Sequence, residues 1–236
     1  MTTATRPDHA RKPVSNAGPL QWRSIVDWLR ADGVISAEQA ERTIARCAQA
    51  ESSQHPLVRL GNLSMLRAAD DKPLDVDMLT EYVAQRCGLA FLRIDPLKVD
   101  VGRVADAMSA SYAERHKVLP VQVSGSEVVV ATAEPFVNDW VAEVERQTKR
   151  QVRRVLANPQ HITRYTAEFF ALAKSVREAN KSGGSAGGSS FEQLVELGKS
   201  NKQLDANDQG VIRVVDWLWQ YAFDQRASDI HLEPRR

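Results

Sequence analysis

The densest run of chemically capable side chains lies near the end of the 236-residue sequence, in Arg226-Ala227-Ser228-Asp229-Ile230-His231-Leu232-Glu233-Pro234. Side chains alternate between the faces of a strand, so as a strand this run puts Asp229, His231 and Glu233 on one side and Ile230 and Leu232 on the other. Two carboxylates and an imidazole spaced in this way could hold a divalent cation; they could equally be the polar face of a half-exposed strand. Cys47 and Cys87 have no Cys or His at metal-ligand spacing and are expected to be small buried apolar residues in a reducing compartment. The glycines of Gly183-Gly184 and Gly187-Gly188 sit among serines, with no strand before them and no lysine after, so they read as linker and not as a phosphate-binding turn. Trp217, Trp219, Tyr221 and Phe223, at helical spacing among apolar neighbours, are expected to pack in a core.

Composition narrows the possibilities. Domains usually run to roughly 100 to 200 residues, so this length predicts one large or two small domains. A hydrophobic content of 43% can build a core, and a net charge of +1, from 31 Lys and Arg against 30 Asp and Glu, gives no electrostatic case for nucleic acid. No apolar run approaches the roughly 20 residues that span a bilayer, and Met1 to Gly18 lacks the apolar stretch of a secretory signal, so the chain is expected to be cytoplasmic.

The elements that must position these residues follow from periodicity and punctuation. Residues 1–19 are polar and read as a disordered tail. From 20 to 88 the pattern is helical. Trp22, Ile25, Val26 and Leu29 recur on one stripe, Asp32-Gly33 stops that helix, and Ser36 starts another carrying Ala40, Ile44 and Cys47. Arg59-Leu60-Gly61 is read as leading into a helix with Leu63 and Leu66. Pro73-Leu74-Asp75 then starts a helix with Val76, Leu79, Tyr82 and Val83 that Gly88 closes, a weak helix-turn-helix repeat at an offset of about 40 residues. Residues 89–172 predict a small α+β domain: a strand Phe91 to Ile94, a helix Val101 to His116, a hairpin Val118–Val123 and Glu127–Thr132 turned at Ser124-Gly125-Ser126, a helix from Pro135, a strand Val152 to Leu156, and a helix from Pro159 to about Lys181. The predicted fold class is therefore α+β, with helical hairpins ahead of a three- or four-stranded sheet covered on one face. Residues 173–207 hold the helix end, the Gly/Ser linker and a short helical stretch Phe191 to Leu197, and 208–236 begin a second domain with a helix meant to be buried on several sides.

The run Ala227 to Pro234, after a helix ending at Arg226, resembles the box that opens the domain before the motor core in ATPases of type II secretion and type IV pilus assembly. The order of elements over Phe91 to Phe170 resembles the small domain of the same family. The resemblance implies an N-terminal region of such an ATPase, of the type II secretion branch, with Arg226, Ser228, Asp229, His231 and Glu233 as a family box lying beside the nucleotide site. It implies ATP and Mg2+ for the full-length parent and hexamerisation of that parent. The implied partner is the cytoplasmic domain of an inner-membrane platform protein, through which alone the chain would meet the membrane. This chain contains no Gly-x-x-x-x-Gly-Lys, so it is expected to have no catalytic residues, cofactor or metal of its own and no ATP turnover alone.

Two surfaces follow from the resemblance. Trp22, Trp28 and Leu29, in the first hairpin, are candidates for docking the platform protein. Relatives of this region bind cyclic di-GMP through tandem units resembling Arg-Leu-Gly followed by a further glycine, which makes Arg59, Leu60 and Gly61 the alternative candidate site. Arginine can pair with phosphate or stack on guanine, and glycine admits a close backbone approach. The departures are specific: the corresponding first-unit positions hold Ser24 and Val26, and the downstream glycine position of the second unit holds Ala68, in a turn lengthened by Ala69 to Lys72. They favour a retained fold with the ligand weakened or lost.

Overall fold

The turn and cap residues decide where the helices begin and end. A computed structural model describes residues 18–182 and, further along, stretches between 215 and 231. Helix α1 (Trp22–Ala31) buries Ile25, Val26 and Leu29 and ends at a turn in which Gly33 takes φ +68°, a conformation that favours glycine. Ser36 then caps α2 (Ala37–Ala48) by accepting the Gln39 N–H at 3.1 Å. Pro56 opens α3 (Pro56–Gly61), and Asp75 caps α4 (Val76–Cys87), which closes on Gly88 at φ +70°. Together the four helices enclose a core that includes Leu20, Ile25, Leu29, Leu57, Leu60, Leu79 and Val83.

One expected helix is absent. The chain after Arg59-Leu60-Gly61 does not continue as a helix bearing Leu63 and Leu66, because α3 stops at Gly61 and Ser64 turns left-handed at φ +51°. Residues 65–74 instead fold back as a narrow ribbon, with Leu74 N–H donating to Met65 O at 2.7 Å and Arg67 N–H to Lys72 O at 2.8 Å. Arg67 closes its tip by donating to both oxygens of Asp70, which holds that carboxyl down at about 2. Ala68 N–H reaches Val34 O at 2.8 Å and sews the ribbon to the connection between α1 and α2. Leu66, expected on that helix, is left 42% exposed on the ribbon.

The sheet has the order β1 (Ala90–Phe91), β4 (Gln151–Leu156), β3 (Glu127–Thr132), β2 (Val118–Val123). β4 runs parallel to both β1 and β3, whereas β2 and β3 form the expected antiparallel hairpin with an irregularity at Pro120 to Gln122. Alternation along β3 explains why the sheet is covered on both faces and not on one. Val129 and Ala131 meet Ile162, Tyr165 and Phe169 of α8 (Pro159–Ser182), while Val128 and Val130 meet Trp140 and Val144. Val144 belongs to α7 (Val141–Thr148), which starts later than the sequence suggests, with Trp140 already buried before its first turn. The stretch read as one helix from Val101 to His116 is two, α5 (Val101–Ala107) and α6 (Ala110–His116). Met108 is extended between them with its side chain buried, and Ser109 caps the second by accepting Tyr112 N–H at 3.3 Å. The first strand is also shorter than Phe91 to Ile94, since only Ala90 and Phe91 pair with β4.

The helical and sheet parts share a core. Leu156, at the end of β4, is fully buried within the four-helix cluster, and Phe91 and Phe136 pack against the same cluster. Beyond residue 182 the expected linker and the stretch Phe191 to Leu197 lie outside the described residues, as do residues 1–17.

A charged network pins the end of α1 to α4. Asp32, with its side chain 7% exposed, accepts from Tyr82 Oη at 2.8 Å and from Arg86 Nη1 at 3.0 Å. Truncating Asp32 leaves a largely buried guanidinium without its countercharge. Asp32→Ala is therefore expected to cost about 3 kcal/mol in chemical denaturation, with part of the loss recovered in the double variant that also carries Arg86→Met. A second outcome concerns the thiols: burial pushes Cys87 up to about 11 and raises Cys47 as well, with Arg59 and Arg46 opposing that rise at Cys47. At pH 8 Cys87 is expected to react with a disulfide reagent about 100-fold more slowly in the folded chain than in denaturant, since the thiolate is the reactive form.

Candidate functional site

The Arg-Leu-Gly triplet occupies the last turn of α3, where it touches three other helices. Arg59 is half-buried and its Nη2 donates to Cys47 O at 2.6 Å and also to Ala50 O, two carbonyls at and just past the C-terminus of α2. Carbonyls at a helix C-terminus have no partner within the helix, so a guanidinium placed there satisfies groups that would otherwise be orphaned. The same guanidinium lies over the Trp22 ring of α1, 5.5 Å from its centroid. Leu60 is fully buried in the helical core. Gly61 faces α4 so closely that an added Cβ would stand 2.6 Å from Val76 Cγ2 and 3.1 Å from Val76 N. All three residues are thus in contact with the protein itself.

The first-unit positions give no matching half-site. Ser24 is half-buried and Val26 is completely buried in the helical core, while Ala68 lies exposed on the ribbon.

The three residues expected to form a docking patch do not form one. Leu29 is completely buried and supports α1 from beneath, so it presents no surface. Trp22 and Trp28 are half-buried and, six residues apart at 3.6 per turn, point about 120° away from one another. Trp22 meets Arg59, whereas Trp28 meets the edge of Phe136 with ring centroids 6.5 Å apart. The packing of a short helix on two sides separates them.

At the other end of the chain Arg226, Ser228, Asp229 and His231 are exposed, and residues 227–231 are not a strand; Glu233 lies outside the described residues. The anticipated convergence of Asp229 and His231 on one strand face is therefore not seen, since the described stretch has no neighbouring strand to pair with. Trp219 and Phe223, expected in a core, are 57% and 75% exposed, and Trp217 and Tyr221 lie outside the described residues. Among the described residues no group of three or more His, Cys, Asp or Glu side chains is placed to hold a metal ion.

Two polar contacts that sequence reading did not find tie the helices to the sheet. Glu134, just after β3, accepts the Leu20 N–H at 2.6 Å on Oε2 and stands 3.2 Å from His55 Nε2 on Oε1. His55 also accepts the Leu57 N–H on Nδ1 at 3.3 Å, capping α3. Asp77, in the first turn of α4, accepts from Asn158 Nδ2 at 2.8 Å and from Arg93 Nη2 at 2.7 Å. Nearby His161 has its pKa lowered, chiefly by burial. Glu134 is 114 residues from Leu20 and Asp77 is 81 residues from Asn158, so no local pattern could have announced either pairing. Nothing in these clusters pairs a nucleophile with a base, and they suit cohesion and binding better than chemistry.

Residues 87–176 match the MshEN domain family, a span that begins after Arg59, Leu60 and Gly61. The chain is 34% identical over 222 residues to the type IV pilus assembly ATPase TfpB of Acinetobacter baylyi, an alignment covering 92% of this chain and 37% of that protein. It is 23% identical over 207 residues to the type IV pilus assembly ATPase PilB of Myxococcus xanthus, covering 86% of this chain and 34% of that one. The chain thus spans about a third of the length of these curated relatives. Among solved structures it is similar to that of MshE with cdg, at 15% identity and a TM-score of 0.43 over 61% of this chain and 97% of the other. It is also similar to the N-terminal domain of XpsE, at 18% identity and a TM-score of 0.39 over 61% of this chain and 91% of the other.

The Gly61 contact yields a discriminating outcome. Gly61→Ala is expected to destabilise the folded chain by about 1 to 3 kcal/mol through overpacking against α4, and Val76→Ala in the same chain is expected to restore part of that loss in thermal and chemical denaturation.

Proposed function

We propose, starting from a chain that belongs to the family of secretion and type IV pilus assembly ATPases as an N-terminal region, that residues 20–182 form a regulatory docking module. The observation that carries this reading is a pairing of two facts. The alignment places 92% of this chain on 37% of a pilus assembly ATPase, and the chain contains no Gly-x-x-x-x-Gly-Lys with which to cradle a nucleotide phosphate. ATP and Mg2+ would belong to a motor carried by other parts of a full-length parent, along with hexamer formation. What these residues contribute is contact.

The proposed partner is the cytoplasmic domain of an inner-membrane platform protein, and the proposed location is the cytoplasmic side of that membrane. No helix among the described residues is long and apolar enough to cross a bilayer, so attachment there would run through the partner. The relatives at 34% and 23% identity are pilus assembly ATPases, which favours the pilus branch over the type II secretion branch. The docking surface itself is assigned to the outward face of the four-helix part as a whole, since Leu29 is buried and the two tryptophans face different neighbours.

Two measurements test the reading. The full chain is expected to retain the platform protein's cytoplasmic domain in a pull-down, and an absence of retention with folded chain would overturn the docking role. ATP turnover by the chain alone is expected to stay at background; turnover proportional to protein concentration would overturn the assignment of chemistry to other parts of the parent.

A further inference from the structure

We infer that Arg59 is an internal clamp that locks α1, α2 and α3 into one block, and that the Arg-Leu-Gly triplet of this chain has been turned inward and is closed to a cyclic dinucleotide. This inference goes beyond the docking proposal and does not depend on it.

A guanidinium recognises a phosphate through its in-plane N–H donors and a nucleobase through its flat face or those donors. In Arg59 part of that capacity is engaged within the chain. Nη2 donates to Cys47 O and Ala50 O, and the central carbon of the guanidinium stands over the Trp22 ring, 5.5 Å from its centroid. A ligand that drew the side chain outward would leave two carbonyls at the end of α2 without their donor and uncover one face of a tryptophan. An unmet carbonyl is costly wherever water cannot replace the donor, and because Cys47 is buried the inward arrangement resists displacement there, whereas Ala50 is exposed.

The other two residues point the same way. Leu60 is completely buried, and the space that a glycine leaves for a ligand is here filled by Val76, whose Cγ2 would lie 2.6 Å from a Cβ on residue 61. A two-unit site would also need a second arginine, and the matching position holds Ser24. Lysine could not reproduce the clamp. Its ammonium can donate to a carbonyl, but it lacks the planar, delocalised cation that packs against an indole.

The test combines ligand titration with a mutant cycle on the full chain. Calorimetry with cyclic di-GMP is expected to show no binding heat. Arg59→Ala is expected to melt about 5 to 10 °C below the parent chain, from the loss of charge-assisted hydrogen bonds in a protein of this size. Arg59→Lys should recover less than half of that shift. Combined with Trp22→Leu, the loss should be clearly smaller than the sum of the single losses, because the two side chains form one contact. If Arg59→Ala yields no folded protein, the cycle of Arg59→Lys with Trp22→Leu carries the same reading. Binding heat that disappears in an Arg59 variant would overturn the clamp, as would strictly additive melting shifts. Failure of the platform-protein pull-down would count against the docking proposal and leave the clamp untouched.

Discussion

The end of β4 is where this fold is joined. Leu156 leaves the sheet and enters the four-helix core with no exposed surface, and two residues later Asn158 starts α8 while donating to Asp77 on α4. Glu134 makes the matching connection at the end of β3, through Leu20 and His55. Apolar burial supplies most of the cohesion, and the polar pairs fix orientation, because a half-buried carboxylate is tolerated only where its oxygens are met. Without this seam each part would be small for a stable core. With it, a helical part and a sheet part become one body.

That body is cross-braced at several points. The sheet is buried on both faces, α1 is held at one end by Arg86 and Tyr82 and at the other by Arg59 over Trp22, and the ribbon of residues 65–74 is bonded back to Val34. Arg59 and Arg86 both join one helix to another.

Much of the local architecture was legible because it is decided within a few residues. Ser36, Asp75 and Gly88 mark helix ends by offering or freeing a backbone hydrogen bond, and the alternation of Val118–Val123 and Glu127–Thr132 around Ser124-Gly125-Ser126 reads directly as a hairpin. The box at Arg226 to Glu233 and the run of elements after Phe91 were enough to suggest the family, to which the similarity to pilus assembly ATPases adds independent support. The misreadings have a common origin. Leu63 and Leu66 have helical spacing, yet a left-handed Ser64 and a contact to Val34 make a ribbon of that stretch. Met108 has the right period for a continuous helix, yet burying it in the extended form and capping the next helix at Ser109 was the better solution.

By itself, then, the sequence determined the caps, the hairpin, the α+β class and the absence of a phosphate loop, since each depends on neighbours along the chain or on the mere presence of residue types. Only the tertiary structure shows what Arg59, Leu60 and Gly61 touch. As letters they could face a nucleotide or the protein, and in the fold they meet Cys47 O, Ala50 O, Trp22 and Val76. It likewise decided that Trp22, Trp28 and Leu29 share a helix but not a surface. The physical reason is the same in both cases: whether a polar or aromatic side chain is free to bind something else depends on which groups the fold brings next to it, and those groups are distant in sequence.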